Sequence, residues 1–216
     1  MSLPLVSRSL LYYWRTNLAV VAGVATAVAV LSGALLVGES VRASLRELAL
    51  ERLGPTEQIV SGPDFFREQL ARELNACPLI ALQGMLRDPE SGRQASRVEI
   101  YGIDARFAIF TGWRIQTPSG RQALLTPALA RELGPGGSLL LTVESPSEIP
   151  LESLHGRKDR VGRTLRLNVA GVFEREFSIH ARQGSVRAVY VPLQLLQQEL
   201  ERPRQINTVL AAGIPA

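Results

Sequence analysis

The side chains that most often perform catalysis or bind metals are scarce in this sequence. Its two histidines, His155 and His180, lack the H-x-x-x-H spacing that places two imidazoles on one helix face, and its single cysteine is Cys77. Zinc usually takes three or four such ligands, so these residues predict no metal site. One cysteine also excludes an intrachain disulfide, and Cys77, followed by Pro78, is typical of a small buried apolar residue.

Only one segment is glycine-rich in the way of a phosphate-binding loop, Gly134 to Ser138. It lacks the lysine that reaches a phosphate, so it predicts a turn between a helix and a strand. No serine lies in a G-x-S-x-G motif, and acids such as Glu174 and Glu176 alternate as on the solvated face of a strand. We therefore expect no catalytic residue, no cofactor-binding residue, no metal ligand and no enzyme activity.

The basic charge of the chain does not predict nucleic-acid binding. The net charge is +4, but Lys158 is the only lysine among 24 basic residues, and the arginines are spread among 20 acidic residues. Such a distribution indicates a compositional bias towards arginine rather than a binding stripe. A local excess remains between residues 157 and 166, which fits either a solvated loop and strand start or contact with anionic headgroups or an acidic partner: Arg157, Lys158, Arg160, Arg163 and Arg166.

The elements that would carry any function begin with an uncharged run from Leu18 to Val37. A helix of about twenty residues reaches roughly 30 Å, the thickness of the hydrocarbon core of a bilayer. A transmembrane helix is the favoured interpretation. A cleaved signal peptide, whose apolar core is shorter, and a buried helix of a soluble protein remain alternatives.

The flanks of this run predict its orientation. Arg8 and Arg15 precede it without any acidic residue, and the aromatic cluster Tyr12 to Trp14 fits the membrane interface. We expect the N-terminus in the cytoplasm and the large domain outside the cytoplasm. Small residues recur every four positions within the run, which fits packing against a partner helix or an ordinary alanine-rich anchor.

The helix is expected to continue beyond the membrane. No glycine or proline interrupts Glu39 to Leu53, and Val41, Leu45 and Leu48 fall on one face. Gly54 and Pro55 then end it. The predicted organisation is a cytoplasmic N-terminus (1–17), a transmembrane helix (18–37), a stalk helix (38–54) and an extracytoplasmic domain (55–216).

The domain is predicted to be α+β. Expected helices run from Pro63 to Asn75, from Pro127 to Gly134 with Thr126 as N-cap, and from Pro192 to Glu201. The expected strands are Gln58–Ser61, Leu79–Arg87, Arg97–Ile103, Leu139–Val143, Leu165–Phe173, Glu176–His180, Val186–Val191 and Ile206–Ala211. The second and third form a hairpin around the turn Asp88 to Gly92, and Glu144 to Asp159 is a polar loop.

Several segments of the sequence occur in the same order as similar segments of a known protein family. Asn17 to Gly23 and Leu31 to Leu45 resemble the first transmembrane helix and stalk of FtsX/MacB-type ABC transporter permeases. Four later segments are similar, in their order, to the MacB-like periplasmic core domain: Ala128 to Gly134, Leu167 to Phe173, Val189 to Gln197 and Ile206 to Leu210.

This resemblance implies a protein of the bacterial cytoplasmic (inner) membrane. It implies a mixed α/β lobe next to that membrane with a β-rich lobe inserted into it. It also implies a cytoplasmic ABC ATPase as partner, together with further permease helices or a second permease subunit. ATP-driven motion would reach the extracytoplasmic domain mechanically, for export or extraction of a substrate.

The chain also departs from the family. A Gly-Asp pair common there is replaced by Gly136 to Ser138, and no further transmembrane helix follows the domain. The expectation is therefore the N-terminal part of a permease, as a fragment, a truncated product or one piece of a split permease. The alternative is a single-pass anchored binding or scaffold protein without transport activity.

Overall fold

The computed structural model describes residues 9, 12–134, 137–143, 163–180 and 184–213, and the statements below concern these residues. They divide between two compact units, Met1–Leu48 and Ala49–Ala216. The elements are α1 (Trp14–Leu53), β1 (Gln58–Arg67), α2 (Gln69–Glu73), β2 (Cys77–Arg87), β3 (Gln94–Ile103), α3 (Ala105–Thr111), β4 (Gln122–Leu125), α4 (Pro127–Leu133), β5 (Ser138–Val143), β6 (Arg163–Val172), β7 (Ala188–Pro192), α5 (Leu193–Glu199) and β8 (Gln205–Ala211).

Helix α1 confirms that one helix runs from the uncharged segment to Leu53, and it begins slightly before that segment, at Trp14. It is long and apolar enough to cross a membrane. None of its residues is buried, although most of its first half is apolar. A helix that is apolar on all sides is stable only when lipid or other helices surround it, so the exposure fits a membrane span.

The end of α1 is closed as the sequence predicts. Gly54 has a φ of +60°, the left-handed conformation that commonly follows the last helical residue. The carbonyl oxygen of Leu53 accepts bonds from the peptide N–H of Thr56, at 3.3 Å, and from its hydroxyl, at 2.7 Å. These bonds satisfy a carbonyl that the helix leaves without a partner.

The strands form one sheet in the order β1-β8-β2-β3-β7-β4-β6-β5. An additional pairing between β2 and β5 closes the last six strands into a ring. The closure brings the backbones close at Gly84, where a Cβ would lie 2.3 Å from the carbonyl oxygen of Thr142. Only glycine fits at this position.

Strand β2 belongs to both parts of the sheet. It pairs with β8 through Leu79 and with β3 from Ile80 onwards. Where it leaves β8, the amide of Asn207 accepts from the peptide N–H of Ala81 and donates to its carbonyl oxygen, both at 2.8 Å. The side chain thus replaces the missing strand partner.

Two cores lie on opposite faces of the central strands. Successive residues alternate between them, as Ile100 and Tyr101 of β3 do. The aliphatic core fills the ring and is covered by α2, α4 and α5. The aromatic core is covered by α3 and by Phe173, Phe177, Ile179 and Val186, which follow β6.

The fold class is confirmed as α+β, with a long N-terminal helix followed by a mixed α/β domain. The β-rich part expected as an inserted lobe corresponds to the six-stranded ring. It is not set apart as a unit of its own, because residues 49–216 form one compact unit. The ring is joined to the rest of the sheet because β2 pairs with β3 of the ring and with β8 outside it.

The helix predicted from Pro63 to Asn75 is wrong in its first half. Residues to Arg67 belong to β1, and the helix is the short α2. Phe66 and Arg67 pair with β8 after a bulge that spans the residues around Pro63. Proline lacks an N–H, which an edge strand with a bulge tolerates.

The strand predicted from Glu176 to His180 is also wrong, because this segment is irregular. Its backbone is satisfied by tyrosine hydroxyls instead of a neighbouring strand. Phe177 donates its N–H to Tyr190 Oη at 3.3 Å, and Ile179 donates to Tyr101 Oη at 3.1 Å.

Thr126 occupies the predicted N-cap position of α4, but its hydroxyl makes no capping bond. It accepts instead from the N–H of Ala188 in β7, at 3.1 Å. The predicted hairpin of β2 and β3 is confirmed, and Asp88 accepts from the N–H of Glu90 and the hydroxyl of Ser91 in its turn. The predicted loop from Glu144 to Asp159 lies outside the described residues.

Candidate functional site

The domain holds the last turn of α1 through Arg52. Its guanidinium donates to Glu176 Oε2 at 2.7 Å and to the carbonyl oxygen of Gly184 at 2.5 Å. Only 13% of the Arg52 side chain is exposed. A charge-assisted pair in such a place fixes geometry better than an exposed one, so the helix end has a defined position on the segment that covers the aromatic core.

The chain enters and leaves the domain at the same place. Glu57 donates its N–H to the carbonyl oxygen of Ala211 at 2.9 Å, and Gln58 pairs with Ala211 in the β1–β8 ladder. A Cβ on Gly213 would lie 3.2 Å from the Glu57 carboxylate. Residues that precede β1 and residues that follow β8 are therefore neighbours.

Six aromatic rings pack next to the helix end. Trp113 lies 3.2 Å from the position that a Cβ on Gly54 would take, so the first residue after α1 rests on its indole ring. The rings of Tyr101 and Phe177 are 5.1 Å apart at a steep angle, a favourable edge-to-face arrangement. The cluster consists of Tyr101, Phe107, Trp113, Phe173, Phe177 and Tyr190.

Tyr101 of the cluster also makes polar contacts. Tyr101 donates its hydroxyl to Glu99 Oε2 at 2.7 Å, and Glu99 is only 2% exposed. Nδ1 of His180 lies 3.5 Å from the other oxygen, Oε1. Burial raises the pKa of Tyr101 well above its usual value, with the Glu99 charge as the next cause, so this hydroxyl remains a donor.

A second polar group joins α3 to the opposite side of the domain. Arg106 donates to Glu68 Oε1 at 2.5 Å, and Gln197 donates to Glu68 Oε2 at 2.9 Å. Burial alone would raise the pKa of Glu68, but the bonds from Gln197 and Arg106 outweigh it and the pKa is lowered. Asp104 caps α3 by accepting from the N–H of Arg106.

An open cleft of about 620 Å³ lies between two stretches of backbone beside the aromatic cluster. One wall is the irregular segment Gly112 to Gln116, and the other runs from Ala170 to Arg175. Leu124 lies between them and is almost buried, whereas Val172 is 44% exposed. The Arg175 guanidinium lies 6.0 Å from the centroid of the Trp113 ring.

The described residues that were considered as catalytic or metal-binding form no metal-binding group. Cys77 is buried in the aromatic core, and burial raises its pKa to about 12, with the charge of Asp104 adding to the effect. His180 lies near Glu99, and His155 is outside the described residues. Among the described residues, no group of three or more histidine, cysteine, aspartate or glutamate side chains could hold a metal ion.

The described residues after α4 fit the predicted turn between a helix and a strand. Gly134 has a φ of +85° and follows the helix directly, while β5 begins at Ser138. Of the basic stretch, Arg163 and Arg166 are described. Arg163 contacts Glu201 and the carbonyl oxygen of Glu199, and its hydrogen bond and then its charge lower the pKa of Glu201.

Comparison with known proteins assigns the family. The family model of the MacB-like periplasmic core domain matches residues 18–214. The chain therefore belongs to this family, whose members are components of ABC-transporter-type permeases rather than enzymes in the usual sense. The match begins inside α1, so the family pattern includes the helix as well as the domain.

Solved structures with related coordinates are the extracellular domain of the noncanonic ABC-type transporter YknZ from Gram-positive bacteria and the periplasmic region of MacB from Actinobacillus actinomycetemcomitans. The first is 12% identical, with a TM-score of 0.44, over 73% of this chain and 83% of that one. The second is 11% identical, with a TM-score of 0.42, over 73% and 74%. No curated protein matches the sequence.

The residues around the helix end were not predicted from the sequence. One signal for α3 was present, because Asp104 before the helix and Gly112 after it are typical boundary residues. Phe107 and Phe110 between them have helical spacing. The contacts of Arg52 and Trp113 had no such signal, since their partners lie far away in the sequence.

Proposed function

We propose that this chain is the N-terminal part of an ABC transporter permease subunit of the FtsX/MacB type. In this proposal a cytoplasmic ATPase moves the permease, and α1 transmits the motion to the extracytoplasmic domain for export or extraction of a substrate. The observation that carries the proposal is the unbroken helix from Trp14 to Leu53, whose last turn is bonded to the domain through Arg52.

The proposed topology keeps the predicted boundaries. Residues 1–17 are cytoplasmic, 18–37 cross the inner membrane, 38–54 form the stalk and 55–216 are extracytoplasmic. The span packs against further permease helices or a second permease subunit, because α1 buries none of its residues within the described part of the chain. The neighbouring positions of Glu57 and Ala211 support a domain inserted between two membrane segments.

A phosphatase fusion tests the orientation. Alkaline phosphatase joined after Ala216 should be active, because that enzyme folds only outside the cytoplasm. The same fusion joined after Thr16, before the span, is the control and should be inactive. A stable but inactive fusion after Ala216 would contradict the proposed topology.

Mechanical transmission is tested by Leu45→Pro in the complete transporter. Proline inside a helix costs about 3 kcal/mol and interrupts it. We expect ATP hydrolysis to continue and export to stop, whereas Leu45→Ala should retain both. Normal export by the proline variant would show that α1 does not transmit the motion and would favour an anchored scaffold without transport.

The bond between α1 and the domain offers a second test. Glu176→Arg should reduce export because two guanidinium groups then face each other, and Arg52→Glu added to it should restore much of the loss. Failure of the reversed pair to recover any export, with both proteins folded and inserted, would argue that this contact is not the point of transmission.

A further inference from the structure

One wall of the cleft beside Trp113 is a strand edge that has no strand partner among the described residues. β5 pairs with β6 only as far as Asn168, whereas β4 follows β6 to Val172. From Ala170 to Val172, β6 therefore has a strand partner on one side only among the described residues. Phe173 donates its N–H to β4, at Leu125, so the peptide groups of its neighbour Val172 face the other way, towards the side without a strand.

The opposite wall is an irregular stretch of backbone. Residues Trp113 to Gln116 lie in no helix or strand. In this segment Ile115 bonds back to the carbonyl oxygen of Trp113, at 3.0 Å. Two stretches of backbone thus face a gap of about 620 Å³, which is within the usual size of a ligand cleft, roughly 300–1,000 Å³.

The charged side chains of the cleft favour a negatively charged ligand. Arg114 and Arg175 line it and are exposed, and neither forms an ion pair with another described residue. Glu174 is the only acidic residue among the described residues of the lining, which therefore carry one excess positive charge. Between these groups lie the apolar surfaces of Trp113 and Val172. The cleft therefore combines an open strand edge, apolar contact area and two cations.

We propose that this cleft binds an extended, acidic peptide segment, which adds a short strand to β6. Main-chain bonds to the edge at Val172 give affinity for any extended backbone. The alternation of a strand sends one set of side chains onto Trp113 and Val172 and the other set outwards to Arg114 and Arg175, where carboxylates are preferred.

An extended peptide suits these features better than a lipid does. A lipid tail would use the apolar surface and an anionic headgroup would use the arginines, but neither would satisfy the peptide groups at the edge. Binding also requires no ATPase, so it stands or falls separately from the proposed transport function. Its position beside Gly54 would place the bound segment next to the end of α1.

Tryptophan fluorescence can report occupancy of the cleft. The chain has two tryptophans, Trp14 and Trp113, so Trp14→Phe leaves only the one in the cleft. The full-length variant, purified in neutral detergent, is titrated with an octapeptide of alternating aspartate and valine. We expect a saturable change in Trp113 emission that weakens as salt is added, because exposed charges are screened.

Three peptides separate the features of the site. A lysine–valine octapeptide tests charge, and a serine–valine octapeptide tests the strand edge alone. An aspartate–proline octapeptide lacks every second peptide N–H and has a restricted backbone, which disfavours strand addition. The aspartate–valine peptide should bind most tightly, the serine peptide more weakly, and the lysine and proline peptides at least about tenfold more weakly. Equal binding of all four would overturn the proposal.

Matched charge reversals assign the binding to the cleft. Arg114→Glu combined with Arg175→Glu should weaken the aspartate peptide by about tenfold or more and improve the lysine peptide. Arg166→Glu, an exposed position of β6 outside the cleft lining, should change neither. Equal loss in the double variant and the control would show that net charge, and not this cleft, is responsible.

A lipid control completes the test. The same variants are mixed with vesicles of phosphatidylglycerol and of phosphatidylcholine. If only phosphatidylglycerol changes Trp113 emission, in a manner that depends on Arg114 and Arg175, while the aspartate peptide does not bind, the occupant is an anionic lipid and the peptide proposal is wrong.

Discussion

The two cores of the domain differ in what their residues can do. The aliphatic core consists of leucine, valine, isoleucine and alanine side chains of the ring strands, of β8 and of the covering helices, which contribute by shape and burial. The aromatic core contains two tyrosine hydroxyls that hold an irregular segment, and it lies beside Arg52 and Trp113. The comparison indicates that one core gives stability, while the other positions the helix end and the cleft.

The largest effect should come from the aliphatic core. Leu167→Ala removes a fully buried side chain and should lower the free energy of unfolding by about 2–5 kcal/mol. Urea unfolding of the full-length protein in detergent measures it. Leu70→Ala, at a position that is 39% exposed, is the control and should cost far less. Similar losses in both would mean that the ring is not the main source of stability.

A smaller but more local effect is expected in the aromatic core. Tyr101→Phe leaves the volume intact but removes the bonds to Glu99 and Ile179, at a cost of about 1–3 kcal/mol. Hydrogen exchange should become faster between residues 177 and 180 and remain slow in the ring. Tyr190→Phe should have less effect, because its bonds to Phe177 are longer, 3.3 and 3.4 Å. Uniformly faster exchange would contradict a separate role for this core.

The hydrogen bonds of Glu68, which join α3 on the aromatic core to α5 on the aliphatic core, should make the stability of the domain depend on pH. Glu68 bonds to Arg106 of α3 and to Gln197 of α5, and its pKa is below its usual value of 4.5. A lowered folded-state pKa means that this contribution is fully present above pH 4.5 and is lost as the pH falls through the lowered value. Unfolding midpoints measured from pH 3 to 6 should therefore decline less steeply in Glu68→Gln. An unchanged slope would exclude Glu68 as the cause.

Cys77 offers a probe that leaves stability almost unchanged. Its thiol is 2% exposed, and burial raises its pKa to about 12, so at pH 8 almost no reactive thiolate is present. Labelling by a thiol reagent should be slow in the folded protein and faster in Tyr101→Phe, which loosens the core around it. Rapid labelling of the unaltered protein would show that the aromatic core opens readily.

Local patterns predicted much of the fold. The apolar run, the stop at Gly54 and the hairpin turn at Asp88 all depend on nearby residues, and the structure has each of them. The errors occur where distant contacts override local preference: Pro63 lies in an edge strand because β8 pairs around it, and the segment after Glu176 is irregular because two tyrosines supply its bonds.

The candidate site was the least predictable part. Trp113 lies against Gly54, and Arg52 bonds to Glu176 and Gly184, so each contact joins residues remote in sequence. No spacing rule connects such residues, because only the sheet order brings them together. Sequence patterns indicated that catalytic and metal-binding residues were scarce, but they did not indicate which residues contact the end of α1.

The meeting of β1 and β8 has a consequence for mechanical load. Their antiparallel ladder begins at Gln58 and Ala211, at the end where the chain both enters and leaves. Pulling these two points apart would unzip the ladder one bond at a time, starting with the bond from Glu57, and that geometry resists little force. A load that moved both points together would leave every bond intact. If force is applied at both points, they must therefore move together for the β1–β8 ladder to stay paired.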